Sequence, residues 1–166
     1  MASNDPGIRR INLVRIAHVF YKYKDIATAK AFLDDFGFQE LVTRGSNTYY
    51  RGTGTEPFVC CATAGSENAF GGAAFVVESR EDLDYAAETI PGATPVHEMQ
   101  EEPGGGLRVT FKDPVDDFPF HLVYGQVPVE PSDKGLLQRR FNFVSLATKR
   151  ASRETPALSG TALNII

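Results

Sequence analysis

Three features are missing from this sequence of 166 residues: a long hydrophobic run, an excess of positive charge, and an apolar signal core. No apolar stretch approaches the roughly 20 residues that span a bilayer, and residues 1–7 are polar, unlike a signal peptide. The formal net charge of -4 argues against general affinity for nucleic-acid phosphates. We therefore expect a cytoplasmic protein that binds neither membranes nor nucleic acid.

Cysteines placed to form a disulfide are also missing. The two cysteines, Cys60 and Cys61, are adjacent in an apolar run. Neighbours on a strand point to opposite faces, so they are not expected to pair. A dithiol metal site would need a second pair of ligands, which the sequence lacks. Small core residues in a reducing compartment are the simplest interpretation.

The sequence contains the same order of predicted strands and helices twice. A strand-like segment at residues 11–23 precedes a helix capped by Asp25, and three short strands follow up to residue 63. A second strand at 69–78 precedes a helix capped by Ser79, and three more strands end at residue 124. The two caps are 54 residues apart. This order predicts an α+β fold of two tandem βαβββ modules forming a curved mixed sheet around a cavity.

The boundaries of the two modules follow from the turn and linker residues between these elements. We place the first module at residues 11–66 and the second at 67–126. Residues 1–10 are predicted to be a disordered lead-in. Residues 127–166 are predicted to be a linker and a mostly disordered tail, because the part from Ala147 onward is rich in Ser, Thr, Ala and Arg and has little periodicity.

Two histidines lie in apolar strand segments. His121 follows the acidic turn 113–117, and His18 is predicted to share one strand face with Val14, Ile16 and Phe20. An imidazole in such a place is either a metal ligand or a buried residue whose nitrogens bond to the backbone or to a Tyr hydroxyl. The residues alone leave both interpretations open. The third histidine, His97, is expected to face solvent.

Two tyrosines are candidates for the cavity wall. Tyr49 and Tyr50 are predicted to point to opposite faces of a strand, so that one of them offers a phenol to the cavity. The alternative is ordinary cross-strand packing. The turn at residues 103–106 contains three glycines and is predicted to be loose or to expose its backbone.

The repeat, the segment Arg15-Ile16-Ala17-His18-Val19 and the Phe111-x-Asp113-Pro114 turn resemble the vicinal oxygen chelate superfamily. That superfamily includes glyoxalase I, fosfomycin-resistance proteins and extradiol ring-cleavage dioxygenases. Residues 11–126 look most like the N-terminal half of two-domain fungal proteins similar to catechol 2,3-dioxygenases.

The resemblance implies four metal-ligand positions, two in each module, occupied here by His18, Val59, Gly72 and His121. Extradiol dioxygenases hold Fe(II) with two His and one carboxylate. Of the four residues only His18 and His121 can coordinate Fe(II) or another divalent metal. The nearby acids Glu56, Asp116 and Asp117 are not at the family's ligand positions. An incomplete metal site is therefore expected.

Three functions remain open at this stage. The first is a structural or aromatic-ligand-binding half of a ring-cleavage dioxygenase-type protein, paired with a missing C-terminal domain or with a second copy. The second is a stand-alone metal-dependent dioxygenase or lyase acting on a catechol-like molecule. The third is a non-catalytic module that sequesters a ligand. These expectations come from the resemblance, and the amino-acid composition favours none of the three functions over the others.

Overall fold

A computed structural model describes residues 9–132. The predicted lead-in up to residue 8 and the predicted tail from residue 133 lie outside the described residues. The first five elements are β1 (Leu13–Tyr23), α1 (Ile26–Asp35), β2 (Gln39–Arg44), β3 (Asn47–Arg51) and β4 (Cys60–Ala64). The next five are β5 (Ala69–Val77), α2 (Arg80–Thr89), β6 (His97–Glu98), β7 (Leu107–Lys112) and β8 (Pro119–Tyr124).

Both helices begin at the predicted caps. The side chain of Asp25 accepts a hydrogen bond from the backbone N–H of Thr28 (3.0 Å), and Ser79 accepts one from Asp82 (3.1 Å). Each bond satisfies an N–H group that has no partner within the helix. Helix α1 stops before Gly37, whose φ of 89° suits a residue just past a helix end. Among residues 9–132 no helix is long and apolar enough to cross a membrane.

One mixed sheet of eight strands carries both modules, in the order β2-β3-β4-β1-β5-β8-β7-β6. Within each module the first and last strands are parallel, and the antiparallel pair β1–β5 joins the modules. The sheet is curved and does not close. The predicted α+β fold of two βαβββ modules is confirmed.

The two faces of the sheet differ in what covers them. Helix α1 packs on β3 and β4 through Leu33, and α2 packs on β5, β7 and β8 through Leu83 and Ala86. The opposite face, called here the helix-free face, carries two further apolar clusters. Their buried members are Tyr49, Phe58, Cys61, Ala17, Ala74, Met99 and Val123. The concavity that positions the site lies on this helix-free face.

Strand β1 departs from the predicted alternation. Val14 and Ile16 are 56% and 62% exposed, whereas Ala17 and His18 are both buried. Register shifts against β5 interrupt the pairing between residues 16 and 18 and at two other points. A β-bulge rotates the side chains that follow it, so the expected shared face of Val14, Ile16 and His18 is wrong.

Two other predicted strands are shorter than expected. The segment 94–99, the first of the three later strands predicted for the second module, is a regular strand only at His97–Glu98, although the N–H groups of Thr94 and Met99 also donate to the carbonyls of Thr110 and Gly106. Pro95 interrupts the strand because it has no N–H to give to the ladder. The segment expected to begin at Pro57 becomes a strand only at Cys60. Both differences lie next to a proline, which ends regular pairing.

Candidate functional site

His18 lies on the central strand β1 and is 1% exposed. Its ring stacks on Phe58 with centroids 4.0 Å apart and meets the edge of Phe20 at 5.1 Å. Neither ring nitrogen has a hydrogen-bond partner among the described residues. Burial, with smaller contributions from His121 and Arg108, lowers the pKa of His18 to about 3. His18 is therefore a neutral imidazole enclosed by phenyl rings.

His121, on β8, has both ring nitrogens in hydrogen bonds. Its Nε2 lies 3.1 Å from the carbonyl oxygen of Gly71, and its Nδ1 lies 2.8 Å from the hydroxyl of Thr110. A carbonyl only accepts, so Nε2 carries the proton and the Thr110 hydroxyl donates to Nδ1. Burial lowers the pKa of His121 more than the bond to Gly71 raises it. Neither nitrogen is left free for another partner.

Phe20 contacts both histidines. Its ring centroid is 5.1 Å from that of His18 and 4.9 Å from that of His121. The guanidinium carbon of Arg108 lies 5.8 Å from the same ring centroid. The structure thus brings His18 and His121 to the same part of the helix-free face, where each packs against the same phenyl ring. We call His18, Phe20, Phe58 and His121 the imidazole–phenyl cluster.

Gly72, one of the two ligand positions whose residues cannot coordinate a metal, lies in β5. In the β1–β5 register His18 lies opposite Ala74, whereas Gly72 lies opposite Phe20. Gly72 has a φ of 114°, and a Cβ there would lie 2.6 Å from Nε2 of His121 and against the carbonyl of Pro119. Glycine at this position lets His121 pack directly on the backbone of β5.

The residues present do not fit a mononuclear metal centre. Within residues 9–132 no group of three or more His, Cys, Asp or Glu side chains is placed to hold an ion. The nearby acid Glu56 pairs with Arg15 (2.6 Å), and Asp117 pairs with Lys112 (3.3 Å) in the exposed turn. A metal at His121 would have to displace its hydrogen bonds, and no carboxylate offsets the charge.

A polar cavity of about 330 Å³ opens on the helix-free face beside this cluster. Arg108 donates to Glu102 through Nη1 (2.6 Å), while the other carboxylate oxygen, Oε2, is buried without a hydrogen-bond partner. Arg44 of the first module donates to the carbonyl of Glu101, which holds the loop of the second module across the cavity. The lining residues are Asn47, Tyr49, Glu98, Met99, Gln100, Glu101, Glu102 and Arg108.

The two predicted cavity tyrosines lie on opposite faces. Tyr49 lines the cavity and packs edge-on against Phe58, whereas Tyr50 lies beneath α1 against Leu33. Burial raises the pKa of each phenol to about 12, so both stay protonated. Of the pair, only Tyr49 offers a side chain to the cavity.

The remaining polar candidates have structural surroundings. His97 is partly buried, with Nε2 3.4 Å from Nε of Arg108, rather than fully in solvent as expected. Cys60 and Cys61 are free and buried, and burial raises the pKa of the Cys60 thiol to about 12 and of Cys61 to about 11. Thiols held so firmly in the protonated form are poor nucleophiles.

Phe20 was predicted to share the strand face of His18, but three residues of this site were not predicted from the sequence: Glu102, Arg108 and Thr110. One of them left a usable signal, because β7 and β8 form a hairpin around the turn at 113–118 and Thr110 pairs with His121 across it. Counting outward from that turn finds the partner of the histidine. Glu102 lies in a loop, and its contacts with Arg108 and Gly105 follow no motif that the sequence shows.

Solved structures with the same fold include metalloenzymes. The chain superposes on the Mn(II)-bound glyoxalase from Novosphingobium aromaticivorans with a TM-score of 0.67 and 24% identity, covering 75% of this chain and 43% of that one. A mutant of homoprotocatechuate 2,3-dioxygenase from Brevibacterium fuscum gives 0.66, 21% identity, and coverage of 76% and 36%. An extradiol ring-cleaving dioxygenase from the same organism gives 0.65, 20% identity, and coverage of 82% and 38%.

These likenesses are structural. No protein-family model and no curated protein sequence matches the chain. The chain spans about two fifths of the length of the solved structures, so the comparison reaches one part of each. Two βαβββ modules in one curved sheet are what they share with it. The chain therefore has the fold of the vicinal oxygen chelate superfamily.

Proposed function

We propose that this chain works without a metal of its own, as a structural and ligand-binding half of a protein of the ring-cleavage dioxygenase type. The observation that carries the proposal is the state of the imidazole–phenyl cluster. Both nitrogens of His121 are hydrogen-bonded, and both histidines pack against the ring of Phe20. Two neutral histidines held in this way supply neither the ligand number nor the charge that a catalytic Fe(II) or Mn(II) requires.

The ligand-binding part of the proposal rests on the polar cavity. Its volume of about 330 Å³ lies in the range of small-molecule sites. Oε2 of Glu102 lacks a donor, and Arg108 and Tyr49 lie in the same wall. A small hydroxylated aromatic molecule would donate a hydrogen bond to Glu102, and its ring would contact the edge of Tyr49. The partner we propose is therefore a small aromatic or oxygenated molecule.

The chain covers only part of each solved structure, which bears on what else the proposed protein contains. Ring cleavage of the kind named for the neighbours would require side chains beyond those described here, from a C-terminal domain or from a second copy of this chain. We propose one of these two partners for the chain. The reduced, buried cysteines Cys60 and Cys61 support the proposal of a cytoplasmic location.

The metal is tested by anaerobic reconstitution. The purified chain is incubated with Fe(II) or Mn(II), excess metal is removed, and bound metal is measured by elemental analysis, with oxygen uptake followed after adding catechol. We expect far less than one metal per chain and no oxygen uptake. One tightly held ion per chain together with ring cleavage would establish the stand-alone enzyme instead. Loss of both in His121→Ala would then identify a ligand.

The ligand is tested separately, so that either part of the proposal can fail alone. Titration calorimetry with catechol should detect binding in the metal-free chain, and Glu102→Gln should weaken it about tenfold by removing a charged acceptor. Glu98→Gln is the matched control, because Glu98 is exposed in the wall of the same cavity. Equal affinity in both variants would show that Glu102 does not receive the ligand.

A further inference from the structure

A second cavity lies at the end of the sheet where β1 begins and where β5 and β8 end. Its volume is about 280 Å³, close to the lower limit of small-molecule sites. It shares no lining residue with the polar cavity beside the imidazole–phenyl cluster. We call it the strand-end cavity, and its lining residues are Val14, Arg15, Val76, Val77, Glu78, Val123, Tyr124, Gly125 and Gln126.

Gln126 places a buried amide group in the wall of the strand-end cavity. Its side-chain atoms Oε1 and Nε2 are both shielded from solvent, and neither has a hydrogen-bond partner among residues 9–132. Buried amides normally have partners, because an unsatisfied donor or acceptor destabilises the folded chain. The side chain of Gln126 therefore offers a donor and an acceptor to a molecule in the cavity.

The glycine-rich turn at residues 103–106 holds this amide in position. A Cβ at Gly106 would lie 3.1 Å from Cγ of Gln126 and 3.0 Å from its backbone nitrogen, and Gly106 has a φ of 98°. Only glycine adopts that backbone conformation readily and leaves room for the side chain of Gln126. The N–H of Val127 donates to the carbonyl of Gly104 (2.9 Å). The turn therefore fixes the backbone at Gln126 and Val127.

The charges around the strand-end cavity favour a neutral molecule. Arg15 donates through Nε to Oε1 of Glu56 (2.6 Å), so that these two charges largely cancel, and Oε2 of Glu56 is buried without a partner among the described residues. The other charged side chain in the wall is the exposed carboxylate of Glu78. A carboxylate ligand would therefore be repelled, and an ammonium group would leave Nε2 of Gln126 without an acceptor.

We propose that the strand-end cavity binds a small neutral carboxamide. Nε2 of Gln126 donates to the carbonyl oxygen of the ligand, and Oε1 accepts from its N–H group, as two amides pair with each other. Val14, Val76 and Val123 give apolar contacts to an aliphatic or aromatic body. The site is independent of the metal and ligand proposals, because neither the imidazole–phenyl cluster nor the polar cavity takes part in it.

Titration of the isotope-labelled full chain with benzamide, followed in proton–nitrogen correlation spectra, tests this site. The side-chain NH₂ signals of Gln126 are assigned by their absence in Gln126→Leu. Benzamide should shift these signals with a Kd of about 1 mM, whereas benzoate, which has the same shape and a negative charge, should not. Gln126→Leu and Gln126→Glu, which remove the donor, should each weaken benzamide binding about tenfold, as read from the backbone N–H of Gly125.

Gln39→Leu is the matched control, because Gln39 lies on β2 and lines neither cavity, and it should leave the affinity for benzamide unchanged. No shift at Gln126 at about ten times the expected Kd would overturn the proposal and would leave ordered water as the partner of the amide. Equal affinity in the wild type and in the folded Gln126 variants, or equal shifts with benzoate, would also overturn it. Displacement of benzamide by catechol would do the same, because the ligand would then occupy the polar cavity.

Discussion

The two central histidines both pack against the ring of Phe20 and differ in how their nitrogens are satisfied. His121 gives one nitrogen to a carbonyl and one to a hydroxyl, whereas His18 lies stacked on Phe58 with both nitrogens unpartnered. A buried polar group without a partner costs about 1–3 kcal/mol, and a satisfied one does not. At His18 the chain therefore keeps a polar ring where an apolar one would be more stable.

This difference predicts opposite effects of the same substitution. His18→Phe keeps the stacking on Phe58 and should raise the free energy of unfolding by about 1 kcal/mol. His121→Phe leaves the Gly71 carbonyl and the Thr110 hydroxyl without partners and should lower it by about 2 kcal/mol. Urea unfolding at pH 7.5 measures both. A larger loss in His18→Phe than in His121→Phe would mean that His18 has a partner in solution.

The depressed pKa of His18 predicts how stability depends on pH. Its pKa is about 3 in the folded chain against 6.5 for an ordinary histidine, so below pH 6.5 the unfolded chain binds a proton that the folded chain does not. The free energy of unfolding should therefore fall as the pH drops from 6.5, by about 1.4 kcal/mol per unit for this histidine. Burial of His121 acts in the same direction.

Urea unfolding of the wild type and His18→Phe between pH 5 and 8 isolates this contribution. Carboxylates such as Glu40, whose pKa a bond from Lys30 lowers, titrate alike in both proteins. The variant should show the shallower slope below pH 6.5, and the two slopes should agree above pH 7. Identical slopes over the whole range would contradict a neutral, buried His18.

Among the elements, the features that could be predicted from the sequence are those formed by contacts between residues close in sequence. Asp25 and Ser79 cap their helices through residues three positions away, so the signal lies within one turn. The bulges of β1 depend on how it pairs with β5, a strand about 50 residues later, and they decide that Ile16 is exposed while His18 is buried. Alternation within β1 has no access to that information.

Gly72 lies where the backbone of β5 packs directly against Pro119 and His121 of β8, and a substitution there is expected to have a large local effect. Gly72→Ala forces a Cβ to within 2.6 Å of the His121 ring at a φ of 114°, so we expect a loss of about 3 kcal/mol or more. Gly54→Ala is the matched control, because a Cβ there meets nothing within 4 Å and should change stability by less than about 0.5 kcal/mol. Thermal unfolding compares the two, and equal melting temperatures would contradict the close packing of His121.

For the whole molecule, the order of elements in the sequence predicted the repeat of two modules. It did not predict the interior between the modules. The two helix caps and the strand count are enough to predict the paired modules. The cavity depends on Arg108 and Glu102 meeting above Tyr49, and on Gly104, whose Cβ would lie 2.6 Å from the ring of Pro57 in the other module. Glu102 and Arg108 are six residues apart, whereas the contact of Gly104 with Pro57 joins residues about 50 apart in sequence, which no short motif records.

We propose that His18 and His121 do not bind metal. Proton–nitrogen correlation spectra of the imidazole rings, recorded with and without one equivalent of Zn(II), test it most directly, and the partly buried His97 serves as the internal comparison. We predict neutral-ring signals for His18 and His121 at pH 7, with the Nε2 proton present on His121, and no change on adding Zn(II). Loss of that proton together with large nitrogen shifts at both residues would contradict the claim and establish a metal centre.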